Sequence, residues 1–400
     1  MTPRASTLSP QGYSVRLPDL LFVVFIVGLS LTGLVSYAQL TNVYYRQNLL
    51  PVNALFDLFI VLYVFIVPAT RISPIALFFL VVSTVYILMS VMFLPEPIGG
   101  APTPVDIILS FKPFIYLIIL CFSRPRGASV SLDTLEKMFK YLLLAFLVKY
   151  LVAKEVMGIP RPGLFTENNF ELPFLLVLFI FLSRRGRLRS QLWVLLLFAV
   201  ILVSGSRSGF LGLVAALITS ARQGSTRLIM ALFVAPMLLL SVLVFMDTRI
   251  GDLGDLGRID RLIFMTRFLE ELERFDLWNY AVGWGPMTPL SNITCERLAF
   301  YDSLFSAGNP NVCYPVVLHV FYFRMILDHG ILGLIFLIAG FYMTMRSSGL
   351  SRSLAFAILI QGIINGLSVS GLGNTYFFLA LVLVTSNYAG PRPAPLEDTR

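Results

Sequence analysis

Asp57, Lys112 and Lys149 stand inside runs otherwise built mainly of Leu, Phe, Ile and Val. An ionisable side chain in such a run is costly to hold in lipid, which makes it a candidate for chemistry. Other polar residues gather between the runs. They are Arg161, the triplet Glu167-Asn168-Asn169, Arg207 within Gly205-Ser-Arg-Ser-Gly209, Arg267, and His319 with Arg324 and Asp328 ahead of Gly330 and Gly333. Several guanidiniums on one face suit a dianionic group such as a diphosphate, because each planar fork engages two oxygens at once. Lys112 and Lys149 would add point charge, and Asn168 and Asn169 join the same substrate-binding set. His319 can orient or deprotonate a hydroxyl, since an unperturbed imidazole titrates near neutral pH. Glu167 is the reserve base and Asp328 a further one.

Structural roles compete with these. Arg324 and Asp328 are spaced i,i+4 and could simply pair. Asp57 could pair with one of the lysines, Lys112 could reach to the interface, and Arg207 could snorkel. Absences narrow the chemistry further. There is no P-loop and no Gly-x-Gly-x-x-Gly opening a helix, so no nucleotide site is expected. Two histidines without an H-E-x-x-H give no zinc site, and the acidic stretch 252–260 lacks the ligand spacing of a calcium loop. No cofactor and no metal are expected.

The elements that must position these residues are membrane spans. Of 400 residues, 57% are hydrophobic and 13% charged. That excludes an ordinary soluble globule, a disordered chain and a collagen-like chain. The net charge of +8 does not indicate nucleic-acid binding, because the basic residues lie in short loops and not in a separable domain. Apolar runs near bilayer length predict twelve spans, at 19–39, 52–69, 72–94, 104–122, 138–157, 171–184, 190–205, 207–221, 228–246, 330–346, 353–370 and 374–389. With both termini in the cytoplasm, 17 Lys/Arg fall on that side and four in the short outer loops. The reverse orientation would invert this ratio. The first run is too long for a cleaved signal peptide. On this topology Asp57, Lys112 and Lys149 all lie in the outer half of the membrane, facing the polar loops named above.

The expected organisation is a nine-span region (1–246), a large periplasmic loop (247–329), three further spans (330–389) and a disordered cytoplasmic tail (390–400). Between the flanking spans, residues 247–315 carry six Arg and ten acids. Cys295 and Cys313 share this loop and predict a disulfide in an oxidising compartment. Residues 259–275 have apolar side chains at roughly helical spacing. They predict an amphipathic helix lying on the membrane surface or capping a cavity.

In these residues the sequence resembles the bacterial O-antigen polymerase/O-antigen ligase superfamily, which includes exopolysaccharide polymerases. The resemblance rests on about twelve spans with one large loop before the last three. It also rests on Ser204-Gly-Ser-Arg207-Ser-Gly-Phe-Leu211, Arg161…Gly163…Asn168-Asn169, Arg267 upstream of Gly283-Trp-Gly285, and His319 nine residues before an acidic-x-Gly-x-x-Gly run. It departs in having Asp328 where Glu is more usual, and Glu167-Asn168 where Pro-Asn is commoner. The resemblance implies a metal-independent glycosyltransferase of the GT-C type in a Gram-negative inner membrane, with its active site in the periplasm. The donor would be a polyprenyl-diphosphate-linked oligosaccharide and the acceptor a sugar hydroxyl. Arg207, then Arg267, Arg161 and Arg324, would hold the leaving diphosphate, and His319 would serve the acceptor. The expected activity is polymerisation of repeat units into O-antigen or exopolysaccharide, and a chain-length regulator could join the enzyme. The alternatives are a ligase acting on lipid A core and, more remotely, a lipid-linked sugar transporter.

Overall fold

The computed structural model describes residues 16–38, 51–66, 72–93, 102–123, 129–159, 162–188, 190–220, 260–306, 308–309 and 311–388. The expected span 228–246, the tail 390–400 and Arg161 lie outside the described residues. Within them the chain is all helical. The first eight helices are α1 (Leu17–Ala38), α2 (Val52–Ile66), α3 (Pro74–Met92), α4 (Pro104–Phe122), α5 (Leu132–Leu151), α6 (Asn168–Arg184), α7 (Gln191–Ser204) and α8 (Arg207–Ser220). The loop region carries α9 (Asp260–Leu272), α10 (Leu277–Val282) and α11 (Asn292–Arg297). The chain returns through α12 (Phe321–Ser347), α13 (Arg352–Gly366) and α14 (Thr375–Asn387). Four of these, α1, α3, α4 and α12, are long and apolar enough to cross a membrane, and α2, α7, α8, α13 and α14 are shorter apolar helices.

Local signals set the helix starts. Ser73, Thr103, Ser131, Ser190, Ser351 and Asn374 each accept a backbone N–H of the first turn. Such caps satisfy donors that have no partner inside the helix. Thr103 and Asp106 form a reciprocal capping box, with Pro104 at the first helical position. Helix α6 is the centre of the bundle, with every side chain from Glu171 to Leu182 buried. A helix that is apolar nearly all round is stable only when neighbours cover it on all sides.

Polar contacts tie the helices together at two levels. At one end, Asp19 accepts the Ser131 N–H (2.6 Å), Arg187 pairs with Asp133 (2.7 Å), and the Ser348 hydroxyl donates to the Ser123 carbonyl (3.1 Å). At the other end lie the starts of α4, α6, α8, α12 and α14. This second end, called the site end below, holds most of the residues singled out in the sequence.

The loop region has its own small core. Phe264 and Phe268 of α9 pack with Leu290, Leu298, Val317, Leu318 and Leu327 around the Cys295–Cys313 disulfide. The expected amphipathic helix over 259–275 is therefore present as 260–272, with two of its aromatics turned onto this core. Helix α12 begins nine residues earlier than hydropathy placed it and is kinked at Gly330 (φ 66°, ψ −178°). There the Leu327 carbonyl accepts the Trp284 N–H (2.8 Å), in place of the helical donor four residues on. A side chain at Gly330 would run into the Ala281 carbonyl, and one at Gly283 into the Asp328–His329 peptide. The two glycines let the loop backbone lie directly on α12. Asp328 is buried in this contact.

Gly330→Ala should therefore loosen the loop from α12. Backbone strain alone costs about 1–3 kcal/mol at such a conformation, and the clash adds to it. Purified variant protein should melt earlier than wild type and be cut faster by trypsin within residues 261–297.

Candidate functional site

The site end is built around three chain breaks that meet. The first is the turn into α6. Glu171, fully buried, accepts the N–H groups of Leu164 (2.7 Å), Phe165 (2.7 Å) and Thr166 (3.2 Å), and the Tyr150 hydroxyl (2.7 Å). One carboxylate thus substitutes for the absent helical partners of a whole turn and fixes where Glu167 stands at the start of α6. Lys149 lies beside it, buried, and donates to the Gly33 carbonyl (2.6 Å).

The second break is the turn between α7 and α8. Gly205 takes a left-handed conformation (φ 64°) that ends α7. The Ser206 hydroxyl accepts the Gly209 N–H (3.0 Å), capping α8, and donates to Asn169 Oδ1 (2.6 Å). Asn168 Nδ2 donates to the Ser204 carbonyl (2.6 Å). These bonds bring Glu167, Asn168, Asn169 and Arg207 together. Arg207 is exposed at the first position of α8, where the partial positive charge of the helix end adds to its own.

The third break is the segment between α13 and α14, residues 367–374. Asn365 Nδ2 donates to the Asn169 carbonyl (2.8 Å). Asn374 Nδ2 donates to the Phe170 carbonyl (2.8 Å) and to Asn365 Oδ1 (3.0 Å). On the other side of this segment, Thr375 accepts from Lys112 Nζ (2.9 Å), which also pairs with Asp57 (2.7 Å). Tyr116 donates to the same Asp57 carboxylate. The Arg324 guanidinium lies against Gly373, and its Nε is buried without a hydrogen-bond partner among the described residues. Arg324 and Asp328, spaced i,i+4, attract each other without closing into a direct ion pair. Asp328 accepts from the Ser110 hydroxyl (3.1 Å), and its second oxygen is buried and unpaired.

His319 sits apart from these breaks, just ahead of α12. Its half-buried ring meets the Phe264 and Tyr301 rings edge-on, at 5.6 and 6.0 Å between centroids. Arg267, one turn beyond Phe264 on α9, pairs with Glu270, which Arg297 also engages (3.0 Å). The structure therefore gathers the sequence candidates into three groups. Glu167, Asn168, Asn169 and Arg207 form one, Arg324 and Lys112 flank the 373–375 backbone, and His319 and Arg267 belong to the loop. Asn365–Asn374 links the first two groups and the start of α12 links the last two. Lys149 stands behind the Glu171 turn.

The sequence reading assigned no role to Asn365, Asn374 or Glu171, or to the buried set in which Tyr86 Oη lies 2.6 Å from His329 Nδ1. A signal existed for the asparagines. The gap between the last two expected spans is the three residues Gly371-Leu-Gly373, with Asn374 directly after it and Asn365 five residues inside the span before it. Among the described residues no group of three or more His, Cys, Asp or Glu is arranged to hold a metal ion.

Residues 192–338 match the family model described as O-antigen ligase. That stretch takes in α7, α8, the loop region and most of α12. No curated protein and no solved structure matches the chain.

Glu171→Gln keeps the shape of the side chain but turns an N–H₂ toward backbone donors. Each buried donor left unpaired costs about 1–3 kcal/mol. The variant should melt several degrees lower than wild type, whereas Glu167→Gln, on the half-buried side of the same turn, should melt nearly unchanged.

Proposed function

We propose, from the match of residues 192–338 to the O-antigen ligase family model, that the chain is a member of the O-antigen polymerase/ligase superfamily and polymerises polyprenyl-diphosphate-linked oligosaccharide repeat units. Members of that superfamily are glycosyl-transferring membrane enzymes. The site end faces the periplasm in this reading, both termini are cytoplasmic, and the architecture is that of a GT-C glycosyltransferase with twelve spans. In the reaction an acceptor sugar hydroxyl attacks the anomeric carbon of the donor. The bond from that carbon to the diphosphate oxygen breaks, polyprenyl diphosphate leaves with the electron pair, and the hydroxyl proton passes to His319, with Glu167 as the other available base.

The observation that carries this reading is Arg324. Its guanidinium is held at the site end with a buried Nε that no acceptor among the described residues engages. A fixed guanidinium with donors to spare is what a leaving diphosphate needs as negative charge develops. Arg207 supplies a second at the start of α8, and Arg161 and Arg267 complete the set. Lys112 is held by Asp57 and Lys149 is turned to the Gly33 carbonyl, so in this reading both act behind the arginines. No metal or nucleotide is required. The partners are the lipid-linked donor and acceptor, the bilayer and a chain-length regulator.

The test uses purified protein with the lipid-linked repeat unit as sole substrate in metal-free buffer, and products resolved on a gel. A ladder of multiples supports the polymerase. Transfer only after lipid A core is added identifies a ligase, and no reaction with either acceptor favours a transporter. Arg324→Lys and Arg207→Lys should each lower turnover by roughly 10²–10³, the range for losing one oriented donor to a developing charge. His319→Ala should do the same while leaving donor binding intact.

A further inference from the structure

The loop region carries large apolar side chains where its own core does not use them. On α9, Phe264 and Phe268 are buried, yet Leu262, Met265 and Leu269 are exposed. Their i, i+3, i+7 spacing makes one stripe along the helix. The polar side chains Arg267 and Glu270 occupy a separate sector and pair with each other. The apolar surface of α9 is thus wider than its cover. Helix α10 follows directly and adds Leu277, 90% exposed, and Trp278, 69% exposed. The two helices adjoin, because the Tyr280 hydroxyl donates to the Leu272 carbonyl (3.3 Å). Soluble surfaces rarely gather so many large apolar groups in one patch.

The depth of α10 identifies what covers them. Its C-terminal end lies on the Gly330 kink of α12. At that level His329 meets Tyr86 of α3, and Asp328 meets Ser110 of α4. Tyr86 lies six residues inside the end of α3 and Ser110 six inside the start of α4. At 1.5 Å per residue, each is about 9 Å below its helix end. Exposed apolar side chains continue above that level, with Met92 and Phe93 at the end of α3 and Val105 at the start of α4. Immediately beyond the kink, Ile331, Leu332 and Ile335 of α12 are exposed as well. The end of α10 therefore meets a spanning helix at the level where its lipid-facing surface begins, below the lipid-facing tips of two others.

We infer that α10 and the outer stripe of α9 are immersed in the bilayer, with Leu277 and Trp278 among the lipid acyl chains near the headgroups. Arg274, over the Trp284 ring at 4.6 Å, stands at the level of the phosphates. This fits the chemistry of an interfacial helix, with aromatic and aliphatic side chains inward and a basic residue at the polar margin. The immersion anchors the loop that bears His319 and Arg267 to the membrane itself, and it does not rest on the proposed reaction.

The chain has three tryptophans, so the full-length variant Trp193→Phe/Trp284→Phe leaves Trp278 as the only indole. In phosphatidylcholine nanodiscs its emission should be blue-shifted. Lipids brominated near the top of the acyl chain should quench it at least about twofold more than aqueous acrylamide does, as for an interfacial indole. Emission typical of indole in water, with acrylamide quenching and no bromolipid quenching, would overturn the inference. A second readout covers misfolding of that variant. Nitroxide labels on Leu262→Cys and Leu277→Cys, in otherwise native protein, should relax faster with oxygen than with a water-soluble nickel chelate. The opposite order at both positions would overturn the inference equally.

Discussion

Backbone that leaves a helix within a membrane protein must find its hydrogen bonds inside the protein, because lipid offers none. The site end depends on how this chain meets that constraint. Three non-helical stretches meet there, and side chains tie them to themselves and to one another. Glu171 takes three successive N–H groups of the 164–166 turn. Asn168 and Asn169 engage the α7–α8 turn. Asn365 and Asn374 engage the carbonyls of Asn169 and Phe170. Two of these asparagines spend donor and acceptor together, so a substitution at either strands groups on two segments at once. Connected polar networks of this kind restrict the geometry of every segment they join.

That logic sorts the charges. Where the fold needs a charge, it has closed it off. Glu171 is spent on backbone, Lys112 on Asp57 and Thr375, and Glu271 on Ser291, Thr294 and Arg274. Arg324 is the contrast, because its nearest acid, Asp328, is turned to Ser110.

Much of this was legible in the sequence. Composition and run length gave a helical membrane protein. Two cysteines in one loop predicted the bond between Cys295 and Cys313. The polar residues of 161–171, 204–209 and 319–328 were picked out by type alone. What escaped was whatever depends on two distant stretches meeting. Asn365 and Asn374 look like ordinary polar residues at a short inter-helix gap until the carbonyls of Asn169 and Phe170 arrive. Asp328 looks like an i,i+4 partner for Arg324 until Ser110 of α4 competes for it. Hydropathy started the tenth expected span at 330 because the residues before it are polar. The helix instead begins at Phe321, because Asp328 and His329 find partners on α3 and α4 and can be buried.

The Gly330 kink connects these observations. A straight α12 would carry its helical bonds through residue 330 and leave the loop no backbone to dock against. With glycine at 330 the helix gives up the Leu327 carbonyl to Trp284, and the loop takes its place in the helix's own bonding pattern. Arg324 lies six residues ahead of the kink, in the first turn of α12, and follows His319 by five residues. The position of the histidine relative to the guanidinium is therefore set by one helix start, and the position of the loop relative to both is set by one glycine contact. A loop held at a single backbone contact could still rock about it. The aromatic packing of Phe264 and Tyr301 around His319, and of Phe268 against Phe323 of α12 at 4.3 Å, supplies the second point of attachment that fixes its orientation.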